Sequence, residues 1–396
     1  MRKKRLLVIG AGFGQVPAIK KAKELNIEVI TVDKNPNAEG FQYADKAYPI
    51  DILDGDSILK VSKEFGIDGA MTMQTDLPIP TLGYINDKLG LVGVTYSAAK
   101  NCSNKILTRK KLQSKGVSQP NFEVVASLEA TIKAVNEIGL PAIVKAVDSS
   151  GSRGVTKVTS STQIKQAFYE AKKYNRQPEI LVEEFIDGVE LGAQAFSVKG
   201  KCEAVFLHND TLADGKYLVP TGHSFPSHLP ESHIKEAERV IKACVEALEI
   251  NDGPSNIDII ISHSGEVKII EVGARIGATC LPELVSYYSG IDWVKETILN
   301  ALGESVNLNK SGTHPCAALI LEAPKDGKLM SFNIPEEVKT NPNCLEVEVS
   351  AKEGDDVSVL RKGTDRIGKI VVKEESATLA EELVYQLRKR ITFNIV

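Results

Sequence analysis

The chain has 396 residues, with 48 Lys or Arg against 52 Asp or Glu, so 25% of it is charged while the formal net charge is only -4. That balance excludes a polybasic nucleic-acid binder and a disordered acidic tail as the main business of the chain. With 42% apolar residues the chain can bury substantial cores, and about 150 residues per domain gives two or three domains. Collagen-like, low-complexity and disulfide-scaffold classes are excluded by 30 Gly, 17 Pro and 6 Cys in this length.

The cysteines, Cys102, Cys202, Cys244, Cys280, Cys316 and Cys344, are far apart and form no C-x-x-C pair. They are expected to be reduced, mostly buried thiols of a cytoplasmic protein. The basic start, Met1 to Lys4, followed by Leu6-Leu7-Val8-Ile9 resembles a signal peptide only until the apolar run reaches Gly10-Ala11-Gly12-Phe13-Gly14-Gln15, so it reads as a first strand. No apolar stretch approaches the ~20 residues that span a bilayer.

In chain order, short apolar runs at Leu6–Ile9, Glu28–Val32 and Gly69–Met73 predict strands. Helical patterns at Gln15–Leu25, Ser57–Phe65 and Thr81–Leu89 lie between or after them, the signature of a parallel sheet with crossover helices. One helix is expected from Ser97 to Lys115. An α+β segment follows: a helix capped by Ser127 and running to Ile138, strands Ala142–Val147 and Gly154–Val158, a helix capped by Ser160 or Ser161, and a strand Glu179–Phe185. Hairpins are expected to turn at Lys199-Gly200-Lys201 and at Ser264-Gly265, with a helix Glu231–Leu248 between them. Helices Leu281–Tyr288 and Trp293–Leu302 come next. The end is strand-rich (Cys316–Leu321, Leu345–Val349, Ile367–Val372) and closes on a helix Leu379–Arg390.

Gly10-x-Gly12-x-Gly14, with Asp33 closing the second strand, invites a dinucleotide-binding reading and hence a nicotinamide-dependent oxidoreductase. The third glycine is one place early, Gln15 standing where it belongs, so a tight strand-to-helix turn is the preferred reading and Asp33 a turn residue before Asn35-Pro36.

The middle of the chain carries more chemistry. Lys145 ends an otherwise apolar strand and precedes Ser149-Ser150-Gly151-Ser152-Arg153-Gly154; a buried lysine is costly unless it meets an anion, and a small-residue loop offers backbone N–H groups to a polyphosphate. A turn centred between Ser264 and Gly265 sets Asp258 directly opposite Glu271, where like charges want a cation between them and oxygen ligands favour Mg²⁺. Arg275, four residues beyond Glu271, could clamp a phosphoryl group.

Lys145 with its loop, the strand Ile180 to Glu190 and Asp258…Glu271-Val272-Gly273-Ala274-Arg275 resemble the ATP-grasp superfamily. Gly222-His223-Ser224-Phe225-Pro226-Ser227 and Arg275 to Leu284 draw the resemblance toward its carboxylate–amine ligases, including L-amino acid ligases. It implies mixed α/β and α+β architecture: a Rossmann-like preATP-grasp domain over residues 1–95, an ATP-grasp domain of two α+β lobes over 96–310 with a lid lobe at about 120–187, and a strand-rich C-terminal domain over 311–396.

The resemblance also implies roles. Lys105, Lys145 and the loop residues Ser150 and Ser152 would contact ATP phosphates, Glu183 with the backbone of Glu184 and Ile186 the adenine edge, and Glu190 the ribose. Asp258 and Glu271 would bind Mg²⁺, or Mn²⁺ in its place, and Arg275 would steady an acyl phosphate. Many members carry Asn two residues after the second metal carboxylate; here Gly273 stands there, which puts a full two-metal site in question. His223, His228 and His233 are not read as a zinc tract, because Pro226 and Pro230 break the helix such ligands would need, and His223 is kept as a substrate-side residue.

The implied activity is ATP-dependent joining of a carboxylate to an amine, with an ATP-dependent carboxylase and the oxidoreductase as rivals. Its expected partners are small molecules, neither nucleic acid nor membrane, with a homodimer as the assembly to test.

Overall fold

The N-terminal apolar runs form the expected parallel sheet. Strands β1 (Arg5–Ile9), β2 (Glu28–Val32), β3 (Lys46–Tyr48) and β4 (Gly69–Met71) lie in the order β3-β2-β1-β4, all parallel. Leu6, Leu7, Val8 and Ile9 are fully buried, as parallel strands covered by helices on both faces require. The covering helices include α1 (Val16–Glu24), α2 (Gly55–Phe65) and α3 (Ile79–Leu89). The computed structural model describes residues 2–148, 153–212 and 220–396.

The glycine-rich turn after β1 is closed by the chain's own side chains. Asp33 Oδ2 accepts from Ala11 N at 3.0 Å, and Gln15 Oε1 accepts from Gly12 N at 3.1 Å, so amides that a pyrophosphate would require are occupied. Asp33 Oδ1 also accepts from Asn35 N, which makes Asp33 a turn residue. Gln15 in turn donates to Met73 O at 2.7 Å, tying the turn to the segment that follows β4.

The single helix expected from Ser97 to Lys115 is instead two, α4 (Tyr96–Ser103) and α5 (Lys105–Ser114). Asn104 is extended (φ -129°, ψ 112°) and its side chain accepts from Ile106 N and Leu107 N, so it ends one helix and caps the next. Lys105 thereby stands at a helix N-terminus, where Lys105 N donates to Val147 O at 3.1 Å.

Next comes a four-stranded antiparallel sheet of β5 (Phe122–Val125), β6 (Ala142–Lys145), β7 (Val155–Val158) and β8 (Ile180–Glu184), in the order β5-β8-β6-β7. One face packs on α6 (Leu128–Ile138, capped by Ser127) and α7 (Ile164–Lys173) through Val135, Val144, Phe168 and Val182. The other face carries Leu181 against Ile106 and Val147. The long strands β9 (Gly188–Val198) and β10 (Lys201–Leu212) turn at Lys199 and Gly200, both left-handed. After β11 (Pro220–Phe225) and α8 (Glu231–Ala247), strands β12 (Gly253–Ser262) and β13 (Val267–Gly273) form the second hairpin, with β12 also pairing β9.

Helices α9 (Leu281–Ser289) and α10 (Trp293–Ala301) lead to β14 (Cys316–Leu321), β15 (Gly327–Asn333), α11 (Glu336–Lys339), β16 (Cys344–Val349), β17 (Asp356–Val357), β18 (Gly368–Lys373), α12 (Ala377–Arg390) and β19 (Thr392–Ile395). Contacts divide the chain into two units. Met1–Val205, Glu231–Gly277 and Val294–Leu308 make the first; Phe206–Pro230, Ala278–Trp293 and Asn309–Val396 make the second. In the second, the end of β10 pairs β11, followed by β14, β18 and β16, all antiparallel. Ala380, Val384 and Leu387 of α12 share a core with Leu319, Ile370 and Val372. All six cysteines are free thiols, and no helix among the described residues is long and apolar enough to cross a membrane.

Asn104→Ala removes the side-chain cap of α5, and its urea unfolding should show about 1 kcal/mol less stability than the parent chain.

Candidate active site

Lys145 and Glu183 share one face of the second sheet, because β6 and β8 pair Ile143 with Glu183 and side chains two apart point the same way. That face looks onto α5, where Lys105 and Arg109 are one turn apart. Glu183 Oε1 accepts from Arg109 Nε at 2.7 Å, and Glu183 Oε2 lies 2.7 Å from Lys145 Nζ. All three are buried: Arg109 is 1% exposed, Glu183 3% and Lys145 5%.

Two cations thus share one carboxylate, and the buried trio carries an unbalanced positive charge. Burial is opposed by Lys145 and Arg109, which together hold the Glu183 carboxyl down at about 2. Lys145 is pushed down to about 8, by burial first and by the neighbouring cations Arg109 and Lys105 against the pull of Glu183. A lysine in that state gains most from an arriving anion.

Asp258 and Glu271 are cross-strand partners, as the turn predicts, but the ladder that pairs them is not even. Near the turn Ile261 faces Val267 and Ile259 faces Ile269; then the register shifts and Asp258 faces Glu271, leaving Ile270 as a bulge. Had the first register continued, Asp258 would face Ile270 and Glu271 would lie on the other side of the sheet. Arg109 supports the bulge: its Nη1 donates to Ile269 O at 2.8 Å and its Nη2 to Ile270 O at 2.9 Å. Lys105 Nζ pairs with Glu271 Oε1 at 2.9 Å. Asp258 Oδ1 accepts a long bond (3.3 Å) from Asn256 Nδ2, and Asn256 Oδ1 accepts from Gln194 Nε2 at 2.6 Å.

Arg275 meets Asp76, which lies in the segment between β4 and α3. Its Nη2 donates to Asp76 Oδ2 at 2.8 Å, and Nε lies 2.7 Å from Oδ1, an ionic contact off the hydrogen-bond line. Arg275 is raised above its ordinary value, the negative charges of Asp76, Asp258 and Glu271 outweighing its burial. Lys105, Arg109, Lys145, Glu183, Asp258, Glu271, Asp76 and Arg275 all belong to the first unit.

The remaining sequence candidates are placed differently. Ser150 and Ser152 lie outside the described residues. Glu184 N donates to Asn121 O at 2.9 Å and its carboxylate accepts from Asn121 Nδ2 at 3.0 Å, while Ile186 is buried and Glu190 is exposed near the start of β9. His223 is in the second unit, on β11. Its Nδ1 lies 2.7 Å from Asp210 Oδ1, which also lies 2.8 Å from Nδ1 of the buried His208. Burial keeps His223 below its ordinary value, and the two imidazoles hold Asp210 well below the carboxylate range despite its own burial. Two residues escaped sequence reasoning. Arg109 had a signal, being four places after Lys105 on one helical face, whereas Asp76, in the segment ahead of α3, carried none.

Glu183→Gln leaves two buried cations facing a neutral amide and should cost about 3–5 kcal/mol in urea unfolding. Because the folded pKa of Glu183 is depressed from 4.5 to about 2, its contribution is complete above pH 4.5 and fades as pH falls toward 2. The stability difference between parent and variant should therefore shrink over that acid range.

Residues 138–283 match the ATP-grasp domain, and residues 319–396 match the L-amino acid ligase C-terminal domain 2. A crystal structure of phosphoribosylglycinamide synthetase from Anaerococcus prevotii is 30% identical, covers 100% of each chain and has a TM-score of 0.84. L-amino acid ligase from Bacillus licheniformis shares the fold at 21% identity, with 100% of each chain covered and a TM-score of 0.85. The L-arginine-specific L-amino acid ligase of Bacillus subtilis is 23% identical over 89% of this chain and 88% of its own. With a relative 30% identical from end to end, and the ATP-grasp match running from β6 through β13, the chain belongs to the ATP-grasp superfamily of ADP-forming carboxylate–amine ligases.

Proposed function

We propose that this ligase activates an amino acid or a related small acid as its acyl phosphate and couples it to an amine at the site built by β6, β8, β12, β13 and α5. The unbalanced positive charge of the Arg109–Glu183–Lys145 trio is the observation that carries the reading. A carboxylate resists amine attack because oxide is a poor leaving group. Transfer of the ATP γ-phosphoryl to it provides a good one, and charge spreads over the phosphoryl oxygens in transit.

Lys145 and Lys105 neutralise part of that charge, and Arg275 steadies the phosphoryl or acyl oxygens. Asp258 and Glu271 fit Mg²⁺, being oxygen donors set on one face by the bulge, with Glu271 45% exposed at its side chain. Bound there, the ion supplies further neutralisation of phosphate charge. Glu183, with both oxygens taken by cations, holds Lys145 in place rather than reading adenine. Ser150, Ser152, Glu184, Ile186 and Glu190 keep their expected nucleotide roles as proposals, and His223 with Asp210 remains a substrate-side candidate. Six free thiols fit a cytoplasmic location. A homodimer is the assembly to be read by sedimentation of the purified protein.

The match of residues 319–396 to an L-amino acid ligase domain favours amino-acid substrates. The 30% identical structure bears the name phosphoribosylglycinamide synthetase, which makes glycine with a phosphoribosylamine a specific second reading. Release of ADP and phosphate, screened over amino acids in pairs, phosphoribosylamine with glycine, and bicarbonate, tests both. AMP and pyrophosphate as products would overturn the acyl-phosphate route.

Lys145→Ala should lower kcat/KM for ATP by about a hundredfold or more, while Asp33→Ala should keep most activity. Since Lys145 titrates at about 8 without ligand, kcat/KM for ATP should decline above that pH as the ammonium is lost. Lys145→Arg, which stays charged, should lose that alkaline limb.

A further inference from the structure

The glycine-rich turn is linked to the segment that carries Asp76. Gln15 Nε2 donates to Met73 O at 2.7 Å. Met73 forms a parallel bridge with Ile276, and Gln74 N donates to Ile276 O at 3.0 Å, so the segment after β4 is tied to the segment after β13. Two residues beyond Gln74, Asp76 meets the guanidinium of Arg275.

Gly273 completes the arrangement. A Cβ at that position would lie 2.6 Å from Asp76 Oδ1, closer than side-chain carbons come to oxygen, and 3.3 Å from the Arg275 guanidinium carbon. Asp76 Oδ1 therefore occupies space that a side chain at 273 would need, and a methyl group there would force Asp76 to shift. The guanidinium also lies under the influence of Asp258 and Glu271. Without Asp76 the negative charges left to act on it include Asp258 and Glu271, the same two that fit Mg²⁺.

We infer that Asp76 is a positioning residue: buttressed through Gln15 and Met73 and admitted by Gly273, it holds Arg275 at the phosphoryl site and keeps it off Asp258 and Glu271. The inference rests on the role given to Arg275 above. It makes the N-terminal turn a structural support of the ligase centre.

The experiment compares the full chain with Asp76→Ala, Gly273→Ala, the double variant and Arg275→Ala, measuring kcat, KM for ATP and the Mg²⁺ concentration giving half-maximal rate. Asp76→Ala should lower kcat about tenfold or more and raise the Mg²⁺ requirement severalfold, with KM for ATP changed much less. Gly273→Ala, whose methyl group displaces Asp76, should show the same pair of changes. The double variant should lose much less than the product of the two single losses, since the 2.6 Å clash with Asp76 is gone and only the lesser contact with the Arg275 guanidinium is left.

Multiplying losses in the double variant, or an unchanged Mg²⁺ requirement in Asp76→Ala, overturns the inference. Asp76 is 39% exposed at its side chain; should the alanine variant still unfold, Asp76→Asn is judged by the same two criteria. Full activity in Arg275→Ala defeats the reading of Arg275 itself. Loss in Arg275→Ala with normal Asp76→Ala defeats only the positioning role.

Discussion

One carboxylate shared by two buried cations organises the candidate site in the first unit. Glu183 comes from β8, Lys145 from β6 and Arg109 from α5, so a single interaction fixes two strands and a helix relative to one another. Burying three charges is expensive, and two cations on one anion do not cancel. A hydrophobic trio of the same volume would pack as well and cost less. What it would lack is a lysine whose ammonium is destabilised by burial and which, in the proposed function, a phosphate relieves. In the proposed function the arrangement gives up stability for a preorganised positive field, the feature phosphoryl transfer most needs.

Arg109 links that field to the carboxylates. Nη1 and Nη2 also donate to Ile269 O and Ile270 O, carbonyls at the one place where the β12–β13 ladder is interrupted. A bulge disrupts ladder pairing, and in a buried setting stray carbonyls need partners. With them satisfied, the extra residue persists and turns Glu271 onto the face of Asp258. The same guanidinium therefore holds the anion beneath Lys145 and the backbone that aims the other two carboxylates.

Much of this was legible in the sequence because it is local. Apolar periodicity and turn residues gave β2, α6 and β14 to the residue, and the cap Ser127 was read from its own chemistry. The pairing of Asp258 with Glu271 was foreseen from a turn placed half a residue late, an offset that the bulge cancels. The break at Asn104 was missed because the apolar pattern runs through it, although a capping residue was there to read. Strands β3, β5 and β19 carry exposed or mixed residues and owe their form to neighbours. Asp76 with Arg275, 199 residues apart, left no trace that spacing could disclose.

The site is already paired within itself: Lys105 with Glu271, Lys145 with Glu183, Arg275 with Asp76. Ligand binding must then exchange partners rather than create pairs, and only the difference appears as affinity. A phosphate that draws Lys105 away leaves Glu271 without its cation, and a divalent ion on Glu271 leaves Lys105 without its anion. Each half-exchange strands a charge, whereas a phosphate bound together with a cation strands none. With the roles proposed for these residues, such pairing favours ATP and its metal arriving as one complex and disfavours phosphate anions that come alone.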